Sequence, residues 1–360
     1  MKIVHVVYSL EMGGAEVLVA QLTRLQRANG HQVSVCAYSN LGTLGEALQA
    51  EGVEVYVPGK ANSIVTMVRY LNYFRRLQPD VVHCHNNAPT IQAALSARLA
   101  GVRTILSTCH SLNAPPYDRA AEIKYNTFTL FCDYIVGICE ITCRNLRSAP
   151  FAHPEKIVRV YNGTDAINRV PAAQQLAKTG FTLLFVGRLA PVKNLGTIIR
   201  AVAIAAQTLP TLQCWFVGDG HERASLEALT AELNVTANIR FWGQRLDPET
   251  FFSAADAFVM SSVSEGLPMS LLQAMSLGVP SILTDVGGMA EVLRLANAGL
   301  LVPVGDHAAF ATAILQLAAD PALRAAFSTN AQASFHQHFT LTHMDAAYTS
   351  LYNHQQRSWD

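Results

Sequence analysis

Short apolar runs, each followed by a turn and then by a helical pattern, recur along most of this 360-residue chain. The first series comprises Ile3 to Tyr8, Gln32 to Tyr38, Glu54 to Val57, Val81 to His85, Thr104 to Thr108 and Tyr134 to Gly137. A second series comprises Phe181 to Val186, Gln213 to Val217, Ile239 to Gly243, Ala257 to Met260 and Ser281 to Thr284. Strands that are apolar on both faces and separated by helices suit a parallel sheet covered on both sides. A polar stretch from Asp165 to Lys178 divides the two series. The length also exceeds what one hydrophobic core usually organises, so two domains are expected. The fold class is α/β with two Rossmann-like β/α/β domains. The first spans 1–165 and the second 166–339. Half of the residues are apolar and 14% are charged, which supplies both cores and leaves disorder only to the ends.

Charge excludes one class of partner. The formal net charge is zero, so a general nucleic-acid binder is not expected. Residues 1–170 hold 16 Lys and Arg against 12 Asp and Glu, and residues 171–360 hold 10 against 14. The first half therefore leans basic. Seven cysteines without a CxxC pair suggest reduced, buried thiols in a cytoplasmic protein. Met1-Lys2-Ile3-Val4 opens directly into a strand rather than a signal peptide, and no apolar run matches a bilayer-spanning helix. Membrane contact is then at most peripheral, at the inner face.

Five stretches carry candidate chemistry. After the first strand comes Glu11-Met12-Gly13-Gly14-Ala15-Glu16 and then a helical pattern, an arrangement that cradles phosphates in doubly wound folds without being GxGxxG. The helix Ser63 to Leu77 mixes Ile64, Met67, Val68, Tyr70 and Phe74 with Arg69, Arg75 and Arg76. It fits an anionic lipid surface or an ordinary amphipathic helix with a solvated basic edge. His110 follows a strand in Ser107-Thr108-Cys109-His110-Ser111, where ligands of open α/β sheets bind. His83 and His85 lie one pleat apart, but with no DxD in the chain and no third ligand at useful spacing they are not taken as a metal site. Gly187-Arg188-Leu189-Ala190-Pro191-Val192-Lys193-Asn194 places two cations before a helix, and these suit a pyrophosphate.

The fifth stretch is Ser261 to Pro280. Its loop holds Glu265, Gly266 and Pro268 ahead of a helix, with Ser270 and Gln273 as the polar side chains of the first turns. Gly266 frees the backbone, and Pro268 suits a first helical turn. An anionic or polyhydroxylated ligand fits that helix N-terminus, with Glu265 accepting hydrogen bonds from hydroxyls.

Taken together these stretches resemble family 4 retaining glycosyltransferases of the GT-B fold. The resemblance spans nearly the whole chain: Gly13-Gly14-Ala15-Glu16, His110, Asn162-Gly163-Thr164-Asp165, Gly187-Arg188 with Lys193, Gly218-Asp219-Gly220, and Glu265-Gly266-Leu267-Pro268. It implies two Rossmann-like domains around a central cleft, with a C-terminal helix at about 340–360 packing back on the first. The activity implied is retaining, metal-independent transfer of a sugar from a UDP- or GDP-sugar to a saccharide or lipid-linked acceptor, in cell-envelope or exopolysaccharide synthesis. No cofactor and no metal are expected.

The resemblance also distributes roles. Arg188 and Lys193 hold the donor diphosphate, where charge grows as the glycosidic bond breaks, so they favour the transition state over the ground state. Glu265 touches the transferred sugar's hydroxyls and stabilises its cationic centre, and His110 sits near the sugar's reactive side. Gly14, Gly187, Gly243, Gly266 and Leu267 line the donor side, while Gly13, Gly14 and Glu16 form a loop that approaches phosphates or acceptor. One position departs from the family pattern. A second glutamate for the ribose hydroxyls is replaced by Gln273, which keeps one acceptor but loses charge assistance on the order of 1 kcal/mol. Alternatives are a non-catalytic sugar-nucleotide-binding subunit and a GT-B-fold sugar-nucleotide epimerase. Nucleotide, sugar and acceptor are not specified by these motifs.

Overall fold

The computed structural model describes residues 1–59, 61–110, 119–171 and 176–355. The chain divides into two units, Met1–Thr164 with Leu341–Asp360, and Asp165–Thr340. Ser111 of the histidine motif, part of the linker stretch and the last residues of the C-terminal stretch lie outside the described residues.

In the first unit the strands are β1 (Lys2–Val7), β2 (Gln32–Ala37), β3 (Glu54–Tyr56), β4 (Val81–His85), β5 (Thr104–Cys109), β6 (Tyr134–Gly137) and β7 (Ile157–Arg159). They form one parallel sheet in the order β3-β2-β1-β4-β5-β6-β7. The connecting helices are α1 (Gly14–Ala28), α2 (Gly42–Ala50), α3 (Ser63–Leu77), α4 (Asn87–Leu99), α5 (Arg119–Thr129) and α6 (Glu140–Ser148). The strand order reverses between β1 and β4, so the crevice beyond their carboxyl ends is where such a sheet binds ligands.

The second unit repeats the scheme. Strands β8 (Thr182–Val186), β9 (Gln213–Val217), β10 (Ile239–Gly243), β11 (Ala257–Met260), β12 (Ser281–Thr284) and β13 (Gly299–Val302) pair in the order β10-β9-β8-β11-β12-β13. Helices α7 (Gly196–Ala205), α8 (Arg223–Glu232), α9 (Pro248–Ala254), α10 (Met269–Ser276), α11 (Gly287–Ala296), α12 (His307–Ala319) and α13 (Pro321–His338) cover it. Its order reverses between β8 and β11. Edge strands β7 and β13 are absent from the alternation read in the sequence; both are short and only partly buried.

The aromatic-rich stretch Ala331 to Gln355 spans two helices. It breaks after α13, and α14 (Leu341–Tyr352) belongs to the first unit. Phe335 and Phe339 are buried ahead of the break, and Met344, Tyr348, Leu351 and Tyr352 are buried after it. Polar contacts accompany the return of α14: Gln26 donates to Asp345 (2.9 Å), the Tyr352 hydroxyl meets His83 Nδ1 (2.8 Å), and the Tyr348 and Thr108 hydroxyls meet at 3.2 Å.

Glycines in the second unit are required by packing. A Cβ on Gly218 would overlap the carbonyl oxygen of Gly187, and one on Gly220 would overlap that of Leu189. The backbone of Leu189 donates to the carbonyl of Asp219 at 2.9 Å. Gly218-Asp219-Gly220 therefore lets the loop after β8 lie flat on the loop after β9. All seven cysteines are buried free thiols. Among the described residues no helix is long and apolar enough to cross a membrane.

Candidate active site

The loops after β8 and β11 meet beyond the switch point of the second sheet. Pro191–Lys193 makes a single 3-10 turn, and Asn194 closes it in the left-handed conformation at φ 49°. Ser261 Oγ donates to the carbonyls of Lys193 and Asn194, both at 2.9 Å, and Val263 N–H donates to Val192 at 2.9 Å. These bonds bring Lys193 Nζ to 2.5 Å from Glu265 Oε1, with the two side chains only 16% and 15% exposed. Two residues separated by 72 positions thus form one part-buried ion pair. Ser262 Oγ donates to the same Glu265 oxygen at 2.8 Å, and the Glu265 carbonyl accepts from Gly288 N–H at 3.3 Å, at the start of α11. Glu265 is thereby gripped by the loops after three strands.

Arg188 lies on the same loop as Lys193. It is exposed and has no hydrogen-bond or ion-pair partner among the described residues, so its guanidinium is available to an anion. Gly187 leads into it from the end of β8, while Gly243 ends β10 at φ 68° with the Arg223 guanidinium beside it. Gly266 and Leu267 are buried. Pro268 is the residue before α10 rather than part of its first turn, and its carbonyl accepts the first helical bonds. Gln273 is half-buried on α10, one turn further in.

In the first unit, Gly14 begins α1 and Gly13 precedes it in extended conformation without a side-chain cap. Glu16 folds back over Gly13. Burial raises the Glu16 carboxyl above its ordinary value, while its own backbone N–H acts in the opposite sense. An acid thus partly occupies the helix start that the glycine loop offers to an anion.

His110 stands just past β5, and its backbone N–H donates to Asn86 Oδ1 at 2.8 Å. Asn86 has φ 71° and ψ 178°, a conformation that costs a non-glycine residue on the order of 1–3 kcal/mol and persists where the surroundings enforce it. Its backbone N–H is held by the Thr108 carbonyl at 2.7 Å. The sequence signal for Asn86 was its place between strand and helix, which by itself reads as an ordinary cap.

His83 and His85 do have a third neighbour. His5 pairs in register with His83, and ligand atoms of His5, His83 and His85 lie within 4.8 Å of one another, all buried. Spacing along the chain hid this, because His5 arrives from another strand. All six ring nitrogens already have partners. His5 Nδ1 meets His85 Nε2 (3.0 Å) and His5 Nε2 meets Gln26 Oε1 (2.9 Å). His83 meets Tyr352 (2.8 Å) and Thr108 (2.7 Å), and His85 Nδ1 meets His110 Nε2 (2.9 Å). A cation would have to break several of these bonds. Burial lowers the pKa of His5 and of His110 to about 4, with Gln26 and Asn162 respectively acting in the opposite sense. His83 and His85 are pushed well below the usual histidine value, first by burial and then by neighbouring imidazoles.

Comparison with known proteins gives the family. Residues 12–167 match the model for Glycosyltransferase Family 4, and residues 167–334 match that for Glycosyl transferases group 1. EpsD of Bacillus subtilis (strain 168) is 30% identical over 266 residues, which is 68% of each chain. The chain belongs to glycosyltransferase family 4. Another relative in this glycosyltransferase family is the UDP-Gal:alpha-D-GlcNAc-diphosphoundecaprenol alpha-1,3-galactosyltransferase of Escherichia coli, 26% identical over 72% of this chain and 71% of its own. Among solved structures, Anabaena HepE in complex with UDP superposes with a TM-score of 0.87 at 19% identity, covering 98% of this chain and 100% of that one. The fold of this family 4 glycosyltransferase is therefore GT-B.

Proposed function

We propose that this glycosyltransferase is retaining and metal-independent, and that it moves a sugar from a UDP- or GDP-sugar to a saccharide or lipid-linked acceptor in cell-envelope or exopolysaccharide synthesis. The observation that carries the reading is the Lys193–Glu265 pair across the switch point, with Arg188 unpaired on the same loop. A donor diphosphate competes with Glu265 for Lys193. Once Lys193 turns to phosphate, the Glu265 carboxylate is left to accept bonds from sugar hydroxyls and to stabilise positive charge at the anomeric carbon. Two side-chain cations, aided by the helix start after Pro268, supply the charge that a divalent metal would otherwise bring to the leaving group.

The α-1,3 linkage in the Escherichia coli relative's name is what retention from an α-linked nucleotide sugar produces, and that name also specifies a diphosphate-linked lipid acceptor. HepE has been solved with UDP and with UDP-glucose, which supports a uridine donor here. For a lipid-linked acceptor, the chain would work from the cytoplasm at the inner membrane face. Helix α3 exposes Ile64, Val65 and Val68 along with Arg75 and Arg76, a combination suited to an anionic lipid surface, although Arg76 also pairs with Glu54.

The test is a donor screen in the presence of EDTA, reading nucleoside diphosphate release and the anomeric configuration of the product by NMR. Turnover with retained configuration is expected. Inverted product or dependence on added metal would overturn the corresponding part of the reading. A rise in melting temperature with a nucleotide sugar and no turnover with any acceptor would instead identify a binding-only subunit.

A further inference from the structure

An ordered chain of hydrogen bonds crosses the first unit from its last helix to His110. Asp345 on α14 is buried and accepts two bonds, from Gln26 Nε2 at 2.9 Å and from Asn29 Nδ2 at 3.0 Å. A carboxylate has no proton to give, so the Gln26 amide must face it with NH2 and turn its oxygen the other way. That oxygen lies 2.9 Å from His5 Nε2 and can only accept, so His5 carries its proton on Nε2. The bare Nδ1 of His5 then accepts from His85 Nε2 at 3.0 Å, and the bare Nδ1 of His85 accepts from His110 Nε2 at 2.9 Å. Each neutral imidazole has one donor and one acceptor, so the direction set at Asp345 passes along unchanged. His83 does not divert it, being held by Tyr352 and Thr108.

The chain ends at His110 Nδ1, which is buried and makes no hydrogen bond among the described residues. We propose that Asp345, acting through Gln26, His5 and His85, locks His110 as the Nε2–H tautomer, so that its Nδ1 accepts a hydrogen bond from a hydroxyl of the bound sugar. The sugar as ligand rests on the function proposed above; the tautomer does not. Asp345, Gln26, His5 and His85 are positioning residues, and only His110 touches the ligand. The low proton affinity of His5 and His110 keeps the chain neutral at physiological pH, as a one-way relay requires.

The experiment uses the full chain with 15N-labelled histidine and two-bond 1H–15N correlation spectra at neutral pH, assigned with His5→Gln, His85→Gln and His110→Gln. A bare Nδ1 on His5, His85 and His110 is expected. Asp345→Asn lets the Gln26 amide rotate, so His110 should lose its single tautomer, and Asp345→Glu should restore it. In the transferase assay, Asp345→Asn should lower kcat/KM for the nucleotide sugar about tenfold, the scale of one hydrogen bond. It should cost nothing further when added to His110→Ala. A protonated Nδ1 on His110 in the wild type, an unchanged spectrum in a folded Asp345→Asn protein, or additive losses in the double variant would each overturn the relay. The spectra as expected in a protein that turns over no nucleotide sugar would uphold the relay and defeat the transferase reading.

Discussion

The two units share a strand order up to one edge strand, yet they build their carboxyl ends differently. The second unit sets aromatic rings on its adjacent strands β8, β9 and β10. Phe185 lies 5.9 Å from Phe216, which stacks on Phe241 at 5.1 Å. Among the described residues, no histidine of the second unit is buried. The first unit instead places His5, His83 and His85 under its edge, tied to α14. An apolar floor leaves the chemistry to the loops, which local sequence can specify. A polar floor must be hydrogen-bonded throughout, and this joins the site to a helix more than two hundred residues away, as in the bond from Thr108 to Tyr348.

Acid should separate the units most sharply. The depressed histidines hold fewer protons folded than unfolded, so stability is full above the ordinary histidine value of about 6.5 and is lost as pH falls from there towards about 4. His5 and His110 each contribute on the order of 1 kcal/mol per pH unit in that window, and His83 and His85 act in the same direction. Hydrogen exchange followed by mass spectrometry at pH 7 and pH 5 should show the first unit losing protection well before the second. Simultaneous loss would dissolve the contrast.

A smaller effect is expected from Lys193→Ala. Turnover should fall about 10²- to 10³-fold, as when one preorganised charge donor is removed from a developing anion. The melting temperature should fall as well, because a carboxylate only 15% exposed loses its countercharge and keeps the Ser262 bond. Wild-type rates in the purified, folded variant would show that the second unit's loops do not carry the chemistry. The smallest effect belongs to Gln273→Glu, which restores charge assistance for donor hydroxyls and should tighten nucleotide-sugar binding by roughly 1 kcal/mol. Calorimetry that finds weaker or unchanged affinity would remove Gln273 from the donor site.

How much was legible follows the same division. Glu265, Lys193 and Arg188 stood out because cations and an acid in glycine loops after apolar strands have few other uses, and the structure brings the first two into contact. Asn86 did not stand out, since its strained backbone is invisible in a one-letter code. Asp345 and Gln26 carry no local signal, because each finds its partner 319 positions away. The third histidine is invisible to spacing along the chain, because β1 supplies it through register.

Hydrophobic periodicity and turn chemistry are local properties of a chain, so the sequence alone determined two parallel sheets, their glycine loops and the charged groups those loops present. Which atoms bond across strands depends on register and on where the last helix returns, and these are settled by burial of apolar faces over the whole unit. Only the tertiary structure could therefore align Asp345, Gln26, His5, His85 and His110 in one directed series.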